Sequence, residues 1–200
     1  RNVFYRREGR PSDRFTPDGY YRTGDYGRLD GDGFLYLTGR IAEMIKTSTG
    51  HRVSPVAVEA VYRRSPYVDQ IVVIGNDRPY LTALAVLNVP AVQAALGRTL
   101  RDEDLPTSPA VFDLLNQEFT RLGDALSRHE RIRAFGILPG ALTVEGGELT
   151  SNLKLRRDNF ESKYKALIQN VYSANERLEV TPVEGRSRGP HRAVNAQEAR

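Results

Sequence analysis

Two apolar, β-branched runs, Asp69 to Gly75 and Leu81 to Asn88, are separated only by Asn76-Asp77-Arg78-Pro79. Runs of that length and composition read as strands, and a polar Asn-Asp turn closes them into a buried pair. A buried pair needs cover on its faces, and the rest of the chain supplies it in helical period. Val111, Leu114, Leu115, Phe119 and Leu122 form one stripe between Pro109 and Leu126. Phe160, Tyr164, Leu167, Ile168 and Val171 form another between Arg156 and Tyr172. Ser54-Pro55 opens a further helix, with Ser54 as N-cap, Pro55 at the first helical position, and an end near Ser65-Pro66. Pro90 to Leu96 reads as a short helix and Ile132 to Leu138 as another strand.

Hairpin signals stand at both ends of this core. Tyr26 to Asp30 and Phe34 to Thr38 flank Gly31-Asp32-Gly33, and Tyr20 to Arg22 reads as a short strand before them. Ala42 to Lys46 and His51 to Val53 flank Thr47-Ser48-Thr49-Gly50. Leu142 to Val144 and Glu148 to Thr150 flank Glu145-Gly146-Gly147. Residues 1 to 18 read as loop, and from Ser173 the periodicity gives way to Pro, Gly and Arg, the composition of a disordered tail. The expected fold is α+β: a small mixed β-sheet flanked by helices and preceded by a short β-hairpin region.

Composition narrows the function. The chain has 200 residues, 40% of them hydrophobic and 27% charged, enough for one modest core with arms. It begins with Arg, which reads as a piece of a longer protein. There are no cysteines, so disulfides and thiolate metal sites are excluded, and three scattered His lack ligand spacing, so no metal site is expected. No apolar run approaches the roughly 20 residues that span a bilayer. The net charge of +4 sits largely at the two ends, without the basic face and interleaved aromatics of a nucleic-acid binder, so no nucleic-acid partner is expected.

Four short runs carry chemistry. Asp25, after a Gly, can accept from both hydroxyls of a ribose, or it can cap its own turn. Arg40, after Gly39, offers a fork of donors for ribose or phosphate oxygens, or a surface ion pair with Glu43. Gly50 permits close backbone approach to a ligand, or is a plain turn residue. Lys154 offers a compact positive charge between a carboxylate and a phosphate, or is an exposed turn lysine, with Arg156 and Arg157 as competitors for that role.

Taken in order, Gly19-Tyr20-Tyr21-Arg22-Thr23-Gly24-Asp25, Gly39-Arg40, Gly50-His51-Arg52-Val53-Ser54-Pro55 and Glu148-Leu149-Thr150-Ser151-Asn152-Leu153-Lys154 resemble the C-terminal part of adenylate-forming enzymes. Among these the runs around Gly39 to Pro55 and Arg156 to Tyr172 look most like long-chain fatty acyl-CoA synthetases. The resemblance implies residues 1–40 as the end of a large AMP-binding domain, 41–173 as a C-terminal lid and 174–200 as a disordered tail. It implies nucleotide contacts at Asp25, Arg40 and Arg52, a hinge at Ala42 or one residue on at Glu43, a pantetheine path past Gly50, and Lys154 as the catalytic lysine of adenylation. Such a hinge ordinarily carries Asp or Lys, and Ala42 departs from that pattern.

The implied reaction is activation of a fatty acid by ATP, then transfer to CoA in the cytoplasm. ATP, Mg²⁺ and CoA are implied for the whole enzyme, with none held tightly by this chain. The N-terminal AMP-binding domain is the implied partner, and the chain alone is expected to be inactive. The same residues leave open an adenylating enzyme that loads a carrier protein, or an interaction module without chemistry.

Overall fold

The computed structural model describes residues 15–16, 18–101, 103–180 and 192–194. The chain divides into two compact units between Met44 and Ile45.

In the first unit β1 (Asp25–Leu29) and β2 (Leu35–Arg40) form an antiparallel hairpin, with Asp25 opposite Arg40 at its open end. The turn closes on Asp30, which accepts from the N–H groups of Asp32 and Phe34. Those bonds favour the carboxylate and lower its pKa. The strand expected at Tyr20 to Arg22 reduces to a single bridge between Phe15 and Tyr21. The expected loop at residues 1–14 lies outside the described residues.

The second unit is a sheet covered on both faces. β3 (Ile45–Lys46) and β4 (Arg52–Val53) make a minimal hairpin, and α1 (Pro55–Tyr62) follows at once. Ser54 caps α1 through its hydroxyl to the Ala57 N–H, as its position before Pro55 requires. β5 (Val68–Ile74) and β6 (Leu81–Leu87) pair antiparallel, α2 (Val89–Leu96) and α3 (Pro109–Gly123) follow, and β7 (Ile132–Ile137) returns parallel to β6. α4 (Arg157–Lys163), α5 (Lys165–Val180) and β8 (Arg192–Val194) complete the order, and the sheet runs β5-β6-β7-β8.

Alternate residues of the central strands feed two cores. Val73, Ala83, Ala85 and Phe135 join Val58, Tyr62, Leu115 and Phe119 on one side. Val72, Ile74, Leu84 and Val86 join Phe160, Leu167, Ile168 and Val171 on the other. This is the α+β class expected from the strand pair and the two amphipathic stripes. All seven residues of β6 are buried, so its period of two is invisible in its hydropathy.

Three element expectations change. The helix read as Arg156 to Tyr172 is two helices, broken at Tyr164, whose φ of −101° and ψ of 20° leave the helical range. The hairpin read at 142–150 forms no named strands. Leu149 instead bridges Leu155, which lets the chain fold back at Thr150 to Lys154. The tail read as disordered from 174 is helical to Val180, and residues 192–194 pair with β7. Residues 181–191 and 195–200 lie outside the described residues. Among the described residues no helix is long and apolar enough to cross a membrane.

Candidate functional site

Asp25 and Arg40 come together. Facing each other across the hairpin end, they form an ion pair, Arg40 Nε to Asp25 Oδ1 at 3.1 Å. The Arg40 side chain is 65% exposed, so the pair adds little stability, and both groups retain lone pairs and donors for a ligand. Thr23 Oγ1 accepts from the Asp25 N–H at 3.1 Å and the Ile41 N–H donates to Gly24 O at 2.7 Å, which fixes the backbone at both members. Arg40 thus takes Asp25, not Glu43, as its acid. Ala42 lies in a single 3₁₀ turn, Ile41–Glu43, and is exposed.

Gly50 tips the β3–β4 hairpin. Its φ is +87°, and a Cβ added there would meet nothing within 4 Å. Side-chain and backbone hydrogen bonds tie the hairpin down. Thr47 is 3% exposed; its hydroxyl accepts from the His51 N–H at 3.1 Å and lies 2.9 Å from Thr49 Oγ1. The Ser48 N–H donates to Arg78 O at 3.0 Å, docking the tip on the β5–β6 turn. Arg52 is exposed and pairs with Lys46 in register.

Beside this tip opens a cavity of about 670 Å³. Thr49 and His51 line one side, Pro79 and Tyr80 another, and Arg128, His129, Arg131 and Arg133 the third. His51 and His129 stack with ring centroids 4.4 Å apart. Arg131 is tied to Asp124 at 3.2 Å, and the Arg133 guanidinium lies 5.8 Å from the Tyr80 ring centroid. Such a concentration of cations suits an anionic ligand. Arg128, His129, Arg131 and Arg133 crowd into six residues, a local signal that sequence reasoning passed over, and the fold adds His51 and Tyr80 from distant segments.

Lys154 sits on a different turn. The Thr150 N–H donates to Lys154 O at 2.8 Å, the Leu153 N–H to Thr150 O at 2.8 Å, and the Lys154 N–H to Thr150 Oγ1 at 3.1 Å. The side chain is exposed. The turn is moored by Glu148, which is 2% exposed. Glu148 accepts from Lys163 Nζ at 2.5 Å, Tyr164 Oη at 2.9 Å and the Thr143 N–H at 3.4 Å. Burial opposes its charge, but the Lys163 ammonium and the other donors prevail and hold the carboxyl at about 2. Tyr164 is the residue that breaks the last helical segment, and its hydroxyl is spent on this carboxylate.

Arg157 is removed from competition with Lys154. Its guanidinium donates to Glu59 Oε1 at 2.6 Å and to Val73 O at 2.9 Å, and Glu59 Oε1 also accepts from the Val73 N–H at 3.1 Å. These bonds satisfy the open edge of β5, a structural duty. Arg156 remains exposed at the start of α4.

Residues 42–176 match the family of the AMP-binding enzyme C-terminal domain, and the chain belongs to that family. A long-chain-fatty-acid–CoA ligase of Mycobacterium tuberculosis, FadD15, is 34% identical over 175 residues, covering 85% of this chain and 29% of that protein. The long-chain-fatty-acid–CoA ligase ACSBG1 of Mus musculus is 30% identical over 187 residues, covering 82% and 26%. The chain thus spans less than a third of the length of these relatives. Among solved structures, the A-PCP didomain of a carboxylic acid reductase from Segniliparus rugosus, in complex with AMP, superposes with a TM-score of 0.67 at 27% identity, covering 84% of this chain and 22% of that one. The adenylation domain of a carboxylate reductase from Mycobacterium chelonae gives 0.65 at 29%, covering 80% and 24%.

Proposed function

We propose that this chain is the lid portion of an ATP-dependent acyl-CoA synthetase acting on a fatty acid, whose acyl and phosphate sites belong to the rest of the enzyme.

 The reaction runs in two steps. The fatty carboxylate attacks the α-phosphate of ATP, with Mg²⁺ carried on the nucleotide, and pyrophosphate leaves. A thiol then displaces AMP from the acyl-adenylate, forming the thioester. In this reading Asp25 and Arg40 hold the ribose, Arg52 reaches phosphate oxygens, and Lys154 neutralises charge between the carboxylate and the α-phosphate. Ala42, in its 3₁₀ turn, is the hinge about which the lid changes pose between steps. The reaction takes place in the cytoplasm, where ATP and CoA are supplied.

One observation carries the choice of CoA as acceptor: the bare, left-handed tip at Gly50 stands beside a cavity lined by Arg128, Arg131, Arg133 and two His. A slender pantetheine arm passes a tip without a side chain, and the phosphates of a free CoA suit the cations next to it. The likeness to the A-PCP didomain favours a second reading, in which the acceptor is a pantetheine tethered to a carrier protein. The test uses the complete enzyme with a fatty acid, ATP and Mg²⁺, offered CoA in one arm and a pantetheine-loaded carrier protein in the other. Acyl-CoA as the faster product supports the first reading. Acyl-carrier alone establishes the second, and no pyrophosphate in either arm contradicts both.

A further inference from the structure

Leu153 adopts a conformation that its side chain disfavours. Its φ is +58°, and it shares positive φ with Asp77 alone among the described non-glycine residues. In that region Cβ crowds the neighbouring carbonyl, and Gly or Asn fits best. Asn152 stands one position too early to take the place. The turn is held at several points around Leu153. Its hydrogen bonds from Thr150 to Lys154 close the loop, Leu149 bridges Leu155 at its base, and the Arg156 N–H donates to Glu148 O at 2.7 Å. The Leu153 side chain is also 72% exposed, more than any other large apolar residue described in the second unit. Strain of this kind persists where surrounding bonds over-determine it, and it gathers at functional sites.

We infer that Leu153 is a positioning residue for Lys154. Its side chain packs against an apolar surface of the acyl-adenylating body, the part that precedes the matched region in the longer relatives. That contact, one residue from the ammonium, sets Lys154 against the reacting carboxylate and α-phosphate. The inference rests on the adenylation role proposed for Lys154.

The experiment compares Leu153→Asn, Leu153→Gly and Leu153→Met in the complete enzyme. It reads melting temperature, pyrophosphate release and thioester formation from supplied acyl-adenylate. Asn relieves the torsion but removes the apolar contact, so Leu153→Asn melts higher by roughly 1–4 °C. It adenylates about 10-fold more slowly, mainly in kcat, as loss of one modest apolar contact in the reacting pose implies. Leu153→Gly shows the same loss of rate. Leu153→Met keeps more than about half the parent rate, because an apolar side chain of similar volume restores the contact. Thioester formation is unchanged in all three. Adenylation at the parent rate by Leu153→Asn overturns the inference, as does an equal fall in both steps, a Met variant as slow as Asn, or no gain in melting temperature for Asn. Lys154→Ala is run alongside. If it leaves adenylation intact, the reading of Lys154 falls and this inference with it; if it stops adenylation while Leu153→Asn does not, only the role of Leu153 falls.

Discussion

Glu148 shows how one residue moors the turn that carries Lys154. Its carboxylate is buried at 2% exposure and accepts from Lys163, Tyr164 and Thr143. Its pKa in the folded chain is lowered to about 2 from 4.5. A depressed carboxylate stabilises the fold fully above the unfolded value and loses that contribution as pH falls from about 4.5 to about 2. Glu148→Gln is expected to cost on the order of 2–3 kcal/mol at pH 7, discounted for the half-exposed Lys163. It should also flatten the stability profile through that acid window. Urea midpoints at pH 7 and pH 3 check this, and a variant with the parent's pH dependence would refute it. Gly50 poses a different problem at the same scale. The left-handed φ of +87° makes most side chains cost about 1–2 kcal/mol there, although the space around it is open. Asn tolerates that region, so Gly50→Asn is expected to melt close to the parent, make acyl-adenylate normally and pass it to the thiol at least about 10-fold more slowly. Half-reaction rates with a melting curve decide it; normal thioester formation removes Gly50 from the thiol path.

The edge of β5 depends on a clamp between elements. Glu59 on α1 and Arg157 on α4 together satisfy the N–H and C=O of Val73 and pair with each other at 2.6 Å. Truncating Arg157 leaves the buried Glu59 carboxylate without its cation and the Val73 carbonyl without its donor, so Arg157→Ala is expected to lower stability by about 3 kcal/mol. Adenylation per folded molecule should persist, unlike in Lys154→Ala. A denaturation curve with an active-fraction assay separates the two effects. None of this clamp was legible in the sequence, because Glu59 and Arg157 look like ordinary charges on helix surfaces and meet only through the tertiary fold. The strands and helices were legible where the chain repeats a period: the stripes of α3 and α5 and the apolar runs of β5, β6 and β7. The break at Tyr164 was not, since Phe160, Tyr164 and Leu167 keep helical spacing across it. β8 was not either, as three residues of Arg-Ala-Val carry no pattern of their own and take their form from pairing with β7.

At the scale of the molecule, the two sets of proposed site residues lie in two separate units, Asp25 and Arg40 in one, Gly50 and Lys154 in the other. Their order along the chain made both sets visible as candidates, while the cavity beside Gly50 exists only because the fold brings His51 and Tyr80 to the basic run at 128–133. The 200-residue chain alone is expected to release no pyrophosphate from ATP, Mg²⁺, CoA and a fatty acid, since the proposed acyl and phosphate sites lie elsewhere in the enzyme. A pyrophosphate assay with the purified chain checks that, and steady release above the blank contradicts it. The central claim is that Lys154 serves the first step and the Gly50 face the second. The most direct measurement is Lys154→Ala in the complete enzyme, with the two half-reactions assayed apart. Adenylation is expected to fall by about 10²–10³, the usual loss for one positioned charge at a developing transition state, while thioester formation from supplied acyl-adenylate continues at the parent rate. An equal loss in both steps, or no loss in either, would contradict the account.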